Sequence, residues 1–238
     1  MRSKNPNTLA NNEFDSFAGR YDEALARGIS LSGESKDFFS QGRIKWLLRC
    51  LNHLDFSPRT ILDYGCGTGS AIPYFLELLN PESIVGLDIS LESLRIARQN
   101  VSDPRVQFLL FNEYSPGKKT DLAFCNGVFH HVLPNERSKV VDYVFRTLRP
   151  KGIFSFWENN SWNPGARLVM RRIPFDRDAV PISPIQAVRL LRASGFEVLS
   201  VHFLFIFPRA LRTLRWIEPL VARLPSGAQY QVLAKKPG

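Results

Sequence analysis

The segment that most constrains the fold is a short apolar run that passes into a glycine-rich turn. Residues 61–70 have the sequence ILDYGCGTGS, and a helical pattern follows them to residue 79. Gly65 and Gly67 allow the backbone to turn tightly and a ligand to approach it closely. The N-terminus of the following helix adds unpaired N–H groups and a positive potential. The segment therefore predicts a strand, a ligand-binding turn and a helix.

The polar residues around this turn indicate which ligand it binds. Dinucleotide-binding folds use the spacing G-x-G-x-x-G, but here the third glycine is Gly69, one position early. Asp63 would repel a pyrophosphate and would instead suit an ammonium group. Asp88 ends the next apolar run and can accept hydrogen bonds from two ribose hydroxyls. S-adenosylmethionine, a nucleoside with an amino-acid end and no phosphate, fits both carboxylates.

Apolar runs alternate with helical patterns over the middle of the chain. This alternation predicts a parallel sheet with helices on both faces. The runs are almost continuously apolar, as strands buried on both faces require. Ser90 is expected to cap the helix that it precedes. The predicted strands are 60–63, 83–87, 106–111, 121–125 and 152–157, and the predicted helices are 70–79, 91–100 and 136–148.

The chain of 238 residues is long enough for one domain with elaborations. One segment, 159–184, contains several prolines and arginines without a clear period, and its length favours a functional lid. Further on, 196–207 and 229–234 are predicted strands, with a basic helix over 209–224 between them. The predicted parts of this single domain are an N-terminal helical cap (1–57), a cofactor-binding core (58–158), the lid (159–184) and the C-terminal strands with their inserted helix (185–238).

The net charge of +9 is concentrated in the last third of the chain. Residues 165–238 contain 12 Lys and Arg but only 4 Asp and Glu. Such a surface can attract nucleic acid, anionic lipid or an anionic substrate, and it can also be a solvated face without a partner. The charge alone leaves these alternatives open.

Cysteine usage and hydropathy predict a cytoplasmic location. Three widely spaced cysteines, Cys50, Cys66 and Cys125, argue against a disulfide framework or a zinc cluster. The first residues have no apolar stretch behind their charges, so we expect no secretory signal. The longest apolar run, around 201–207, is far shorter than the roughly 20 residues of a membrane span.

Five motifs follow one another in a fixed order between residues 58 and 158. They are DYGCGTGS, VGLDIS, VQFLLFNEY, DLAFCNGVFHHV and LRPKGIFSFWE. In this order they resemble the class I S-adenosylmethionine-dependent methyltransferases, in particular the small-molecule branch that includes the quinone-biosynthesis enzymes. The resemblance implies a Rossmann-like sheet of seven strands in the order 3-2-1-4-5-7-6, with strand 7 antiparallel and helices on both faces. One departure is the stretch of about twenty residues between the last two strands, where the family usually has a short hairpin.

The resemblance also implies roles for individual residues. The loop residues Asp63, Gly65 and Gly67, with Cys66 between the glycines, would line the methionine end of S-adenosylmethionine. Asp88 would bind the ribose. The other positions that match the family are Ile89, Asn112 and Glu113 at the adenine, and Asn126 near the sulfonium and methyl.

The N-terminal segment FDSFAGRYDE resembles the family helix that lays aromatic side chains over the cofactor. Phe17 and Tyr21 are the matching residues, and the alternative is that both are core aromatics. Arg43, further along, could reach the carboxylate of the cofactor, with an exposed helix charge as the alternative reading.

Three residues are candidates for catalysis: His130, His131 and Glu158. Methyl transfer depends mostly on positioning, and a general base is needed only if the acceptor loses a proton as it reacts. The histidines follow the fourth strand, on the side where open α/β sheets bind ligands, although either could cap a helix or fill the core. Glu158 could orient the acceptor or pair with a lid arginine, among Arg167, Arg171, Arg172 and Arg177. We expect no metal, because adjacent histidines should point apart.

The acceptor is expected to be a small molecule or lipid precursor, anionic and partly apolar, because the lid mixes arginines with apolar residues. In the basic helix, Leu211, Leu214, Ile217, Val221 and Leu224 lie near one face, which predicts either packing on the domain or contact with a membrane surface.

Nucleic acid is not an expected partner. The alternatives are an RNA or protein methyltransferase, a non-catalytic nucleoside-binding protein and an NAD-dependent dehydrogenase, the last disfavoured by the glycine spacing and by Asp63.

Overall fold

A computed structural model describes residues 27–176 and 179–238. Phe17, Tyr21 and Arg177 lie outside these residues, so the expectations for them stay predictions. A short 3₁₀ turn, Ser30–Ser32, precedes the first long helix of the described residues, α1 (Lys36–His53). Ser35 begins this helix, because its side chain accepts a hydrogen bond from the backbone N–H of Phe38.

Seven strands form one sheet in the order β3-β2-β1-β4-β5-β7-β6. β7 pairs antiparallel with both β5 and β6, whereas the pairs among β1 to β5 are parallel. The predicted strand order and the antiparallel seventh strand are confirmed. The strands are β1 (Thr60–Tyr64), β2 (Ser83–Asp88), β3 (Val106–Leu110), β4 (Thr120–Asn126), β5 (Leu148–Asn159), β6 (Glu197–Leu204) and β7 (Gln229–Lys235).

Helices pack on both faces of the sheet because alternate strand residues point to opposite sides. In β1, Ile61 belongs to one buried cluster, together with residues of α1, α2 (Ile72–Leu78) and α3 (Leu91–Asn100), whereas Leu62 belongs to the cluster on the other face. Ser90 caps α3 as predicted, accepting a hydrogen bond from the N–H of Ser93. The remaining helices are α4 (Arg137–Thr147), α5 (Pro164–Arg172) and α6 (Pro184–Ala193).

The prediction of one regular helix over 209–224 is wrong. The chain forms 3₁₀ turns over Arg209–Ile217 and then only one turn of α-helix, α7 (Glu218–Val221). Leu211 has non-helical dihedral angles (φ −110°, ψ 24°), and Pro219, which has no N–H to donate, lies in the first turn of α7, so that no regular helix runs through the segment. Among the described residues, no helix is long and apolar enough to cross a membrane.

Asn160 fixes the connection that leads back into β7. Its side chain is fully buried and donates to the carbonyls of Pro225 (3.1 Å) and Gly227 (2.8 Å). Gly227 itself lies so close to β6 that a Cβ atom there would be 2.3 Å from the backbone nitrogen of Leu204. The start of β7 therefore depends on a glycine for its close approach to the neighbouring strand.

We expect Gly227→Ala to lower the free energy of unfolding by about 1–3 kcal/mol, because the backbone of β6 must move to admit the methyl group. The midpoint of urea unfolding measures this change. Gly117→Ala is the matched control: its Cβ would meet only the side chain of Lys119, at 3.6 Å, so its stability should stay within about 0.5 kcal/mol of the parent. Equal stability of Gly227→Ala and Gly117→Ala would contradict the close approach of Gly227 to the backbone of β6.

Candidate functional site

The carboxyl ends of β1 and β2 carry the two acidic residues of the predicted cofactor site. Asp88 is buried, and its carboxylate accepts hydrogen bonds from the backbone N–H of Gly67 (2.8 Å) and of Ser90 (2.9 Å). The carboxylate thus joins the glycine loop to the start of α3. An ionised carboxylate can accept about four hydrogen bonds, so these two contacts are compatible with the predicted binding of a ribose.

The two glycines of the loop serve different purposes. Both have a positive φ, +73° at Gly65 and +53° at Gly67, which side chains rarely adopt. A Cβ at Gly65 would lie 2.3 Å from the Cγ2 of Val128, so packing against the turn after β4 excludes a side chain. A Cβ at Gly67 would meet no described atom within 4 Å. Gly67 therefore borders open space, as the predicted approach of a ligand requires.

Asp63 is almost fully buried beneath this loop. Burial, with a smaller contribution from the nearby Asp88 carboxylate, raises its pKa from an ordinary 3.8 to about 7, and Arg43 partly opposes this rise. A carboxylate in such surroundings is stabilised by a bound cation. The ammonium group of S-adenosylmethionine would supply that charge.

Arg43 of α1 is buried, so the alternative of an exposed helix charge is wrong. Its guanidinium donates to Gln229 Oε1 at 2.9 Å and to Ser40 Oγ at 3.2 Å. Arg43 both influences Asp63 and lines the cavity described next. It therefore connects the cofactor loop with that cavity.

A cavity of about 360 Å³ opens at the carboxyl ends of β4 and β5. Its walls come from the chain before and within α1, the turn after β4, one face of α5, the segment that follows β6, and the start of β7. The apolar lining includes Ile29, Leu31, Phe38, Phe39, Val169, Ile173, Phe205, Ile206 and Phe207. The polar lining includes Glu34, Lys36, Arg43, Asn126, His130, His131, Asn159, Asn163, Asp176 and Gln229.

Asn126 is the predicted cofactor residue that faces this cavity. Its Oδ1 is buried and, in the described part of the chain, has no hydrogen-bond partner. A buried polar atom without a partner is costly, so this oxygen favours a bound ligand with a donor group. The open space at Gly67, the buried Asp63 and this oxygen together fit S-adenosylmethionine.

The other predicted cofactor residues lie outside the lining of the cavity. Cys66 is buried under the loop, where burial raises the pKa of its thiol. Ile89 is half-buried, and Asn112 is exposed. Glu113 is exposed as well, and its carboxylate accepts a hydrogen bond from the N–H of Leu110 at 2.8 Å. Their contacts with the cofactor stay predictions.

His130 lies at the centre of a buried polar network. Its Nδ1 is 2.6 Å from Glu158 Oε2, and its Nε2 is 3.3 Å from Asp176 Oδ1. The second oxygen of Glu158 accepts the backbone N–H of Phe129 at 2.7 Å. Burial lowers the pKa of His130, but the carboxylates of Glu158 and Asp176 outweigh this effect and raise the pKa to about 10.

His131 joins the same network from the edge of the cavity. Its Nε2 is also 3.3 Å from Asp176 Oδ1, and the two histidine ring centroids are 4.1 Å apart. Burial lowers the pKa of His131. Burial alone would raise the pKa of Asp176, but the hydrogen bonds that it accepts from both histidines outweigh this effect and lower its pKa to about 2. The expectation that the adjacent histidines point apart is wrong, because the turn after β4 directs both rings towards one carboxylate.

Glu158 pairs with His130 rather than with a lid arginine. Of the lid arginines that the structure describes, Arg167, Arg171 and Arg172 are exposed, and none lines the cavity. The apolar face of α5 lines it instead. Asp176 was not among the predicted site residues, since a single aspartate in an irregular segment has no distinguishing sequence pattern.

Comparison with known proteins gives a consistent picture. Residues 61–152 match a family model described as a methyltransferase domain. A trans-aconitate 2-methyltransferase of Azoarcus sp. (strain BH72) is 30% identical over 147 residues, which cover 60% of this chain and 56% of that protein. The match therefore spans about half the length of this relative.

Two further proteins are similar over more of their own length. A carboxy-S-adenosyl-L-methionine synthase of Campylobacter lari is 23% identical over 220 residues, covering 82% of this chain and 90% of that protein. The crystal structure of an S-adenosylmethionine-dependent methyltransferase from Mesorhizobium loti aligns with a TM-score of 0.57 and 20% identity, over 76% of this chain and 91% of that one. At that identity the structural match shows the fold alone.

We expect the affinity for S-adenosylhomocysteine to rise with pH up to about 7 and then to level off. Below pH 7, Asp63 holds a proton that the ligand ammonium must displace, so the affinity should fall about tenfold for each unit below about pH 6. Titration calorimetry between about pH 5 and pH 8 measures this profile. Asp63→Asn should bind more weakly with a flat profile, and an unchanged slope in this variant would exclude Asp63 as the titrating group.

Proposed function

Since this chain carries a class I S-adenosylmethionine-dependent methyltransferase domain, we propose that it methylates a small acceptor with an anionic end and an apolar body. S-adenosylmethionine, predicted from the glycine loop, is the cofactor of this domain. When bound, it supplies an electrophilic methyl group on a sulfonium whose departure leaves a neutral thioether. Asp63, the glycine loop, Asp88 and Asn126 would hold it.

The observation that carries this proposal is the cleft-like cavity next to the glycine loop, to which Lys36 in its lining is hydrogen-bonded through Thr68. Its volume of about 360 Å³ falls in the range of small-molecule sites, and its walls come from five separate parts of the chain, the start of β7 among them. A nucleotide within RNA or a side chain within a folded protein would have to be extruded to enter it. The cavity therefore favours a small acceptor over the RNA or protein alternative.

The lining of the cavity supports an acceptor with two chemically different ends. Phe38, Phe39 and Phe205 pack edge to face, with ring centroids 4.9 to 5.9 Å apart, and offer an apolar surface. Lys36 and Arg43 bring positive charge to the same cavity. Lys36 reaches towards the glycine loop and donates to Thr68 Oγ1 at 2.9 Å. An acceptor with an aromatic or aliphatic body and a carboxylate would match this division.

His131 is the residue that we propose meets the reacting group of the acceptor. It lines the cavity, its side chain is 19% exposed, and Asp176 fixes its ring. His130 and Glu158 are almost fully buried, and we assign them a positioning role. They hold the turn after β4 against β5 and thereby orient the neighbouring His131.

We expect Val169→Trp to lower kcat/KM for the acceptor by roughly 100-fold, because the indole would occupy the cavity and displace the acceptor. Leu168→Trp is the matched control, since Leu168 is the adjacent, exposed residue of α5 and should leave kcat/KM unchanged. A methyl-labelled donor and a panel of carboxylic acids, amines, RNA and folded proteins provide the assay. S-adenosylhomocysteine affinity should be equal in both variants.

Label recovered in an extractable small acid would support the proposed acceptor class. Label recovered only in RNA or protein would overturn it. An unaltered rate in Val169→Trp would likewise exclude this cavity as the acceptor site.

We also propose that the segment 208–224 contacts an anionic membrane surface, which would give access to an apolar acceptor. Trp216 and Leu220 are 74% and 78% exposed, and Leu211, Leu214 and Leu224 are exposed beside them. Arg209, Arg212 and Arg223 are exposed in the same segment. Apolar side chains bordered by arginines are typical of surfaces that lie on anionic lipid.

We expect the full chain to sediment with vesicles that contain phosphatidylserine and to bind less as salt is raised. The double variant Trp216→Glu, Leu220→Glu should lose this binding. Leu91→Glu, at an exposed leucine at the start of α3, is the matched control and should bind like the parent. No sedimentation of the parent chain, or equal binding by all three proteins, would refute the contact.

A further inference from the structure

We propose that His130, His131 and Asp176 bind a divalent transition-metal cation at the wall of the cavity, and that this cation holds the anionic oxygen of the acceptor. We infer the cation site from the arrangement of the described side chains alone. The role given to the cation rests on the proposed function.

The spacing of the three side chains matches the edges of a metal coordination shell. The Nε2 atoms of His130 and His131 each lie 3.3 Å from Asp176 Oδ1. The ligand atoms of all three side chains lie within 4.8 Å of one another. Bonds of about 2.0–2.1 Å at tetrahedral angles give ligand separations of about 3.3 Å. Two of the three edges thus have the required length, and the third is no longer than 4.8 Å, so the two rings would draw closer together around a cation.

Glu158 orients His130 as carboxylates commonly orient metal-bound histidines. It lies 2.6 Å from Nδ1, so a proton at this nitrogen would be held by Glu158, whereas Nε2, 3.3 Å from Asp176, would give up its proton as it binds the cation. The other Glu158 oxygen is held by the N–H of Phe129 at 2.7 Å, so the carboxylate itself cannot rotate freely. This contact explains why a glutamate that is only 1% exposed lies at the end of β5.

The charges of this cluster also favour a cation. Glu158 and Asp176 bring two carboxylates into an almost fully buried region, opposite two imidazoles. Buried carboxylates are costly unless a positive charge compensates them. A divalent cation would compensate both of them and leave the rings neutral.

The ligand set indicates the kind of metal and its use. Two imidazole nitrogens and one carboxylate oxygen suit Zn²⁺, Co²⁺ or Fe²⁺ better than Mg²⁺ or Ca²⁺, which prefer oxygen ligands. His130, His131 and Asp176 all line the cavity, so a fourth coordination position would face it. Sites with three protein ligands and an open position are typical of metals that bind substrate.

Cobalt titration of the chelator-treated full chain tests the site. We expect one Co²⁺ per chain with the visible absorption of a tetrahedral complex, and displacement of that absorption by Zn²⁺. Asp176→Asn and His131→Ala should weaken Co²⁺ binding by at least about 100-fold, and Glu158→Gln by about 10- to 100-fold. His53→Ala is the matched control, because His53 is exposed on α1 and bonds only the carbonyl of Arg49 among the described residues.

Binding that is absent in the parent chain, or that persists unchanged in Asp176→Asn and His131→Ala, would overturn the site. Full methylation by chelator-treated protein without added metal would overturn the role in holding the acceptor and would leave His131 as a proton acceptor. S-adenosylhomocysteine affinity is measured on every variant and should not change, which reports that the variants are folded. If the parent chain itself does not bind S-adenosylhomocysteine, the result counts against the proposed function and not against the metal site.

Discussion

The parallel alignment of β1, β2, β4 and β5 is the constraint on which both halves of the site depend. Parallel strands end at the same edge of a sheet, and each of these four carries a polar residue at or next to its carboxyl end. These residues are Asp63, Asp88, Asn126 and Glu158. The strand residues that precede these four are buried among apolar side chains on both faces of the sheet, so the sheet holds the four polar side chains in fixed positions.

The four residues divide the edge of the sheet into two chemical regions. Burial and the nearby Asp88 carboxylate together raise the pKa of Asp63, and both residues lie at the glycine loop. Glu158 lies on the other side, where it orients His130 towards Asp176. Arg43 borders both regions from α1. The ammonium group of S-adenosylmethionine at Asp63 and the proposed anionic end of an acceptor near Arg43 would each lie beside a group of opposite charge.

The unusually long connection between β6 and β7 completes the cavity. Arg215 from this connection stacks on Phe38, with its guanidinium carbon 4.4 Å from the ring centre, and forms an ion pair with Glu34 at 2.7 Å. These contacts tie the connection to the start of α1, so that its aromatic residue Phe205 lies against Phe39. The same connection exposes Trp216 and Leu220 on its outer side. An inserted segment thus supplies one wall of the cavity and an apolar surface outside it.

Local sequence determined the strands and the glycine loop, because both depend on short-range chemistry: continuous apolar runs for buried strands, glycines for positive φ at Gly65 and Gly67, and Ser90 as a helix cap. The order of the strands was implied by the resemblance of the five motifs to a known family. The five motifs lie in chain order along the parallel strands, so their carboxyl-end residues could be assigned to one edge without a structure. The prediction of a helix over 209–224 failed because the apolar period does not record that the backbone leaves helical geometry at Leu211 and that a new helical turn starts at Pro219.

Only the tertiary structure decided which side chains meet across long stretches of chain. Asp176 is 46 residues from His130, and no local period or spacing links the two. Arg43 has the sequence context of a surface helix charge, yet the return of β7 brings Gln229 to it and buries it. Arg167, Arg171 and Arg172 are exposed because the opposite, apolar face of α5 lines the cavity. Contacts of this kind depend on how whole elements pack, and a sequence pattern records only which face of its own element a residue occupies.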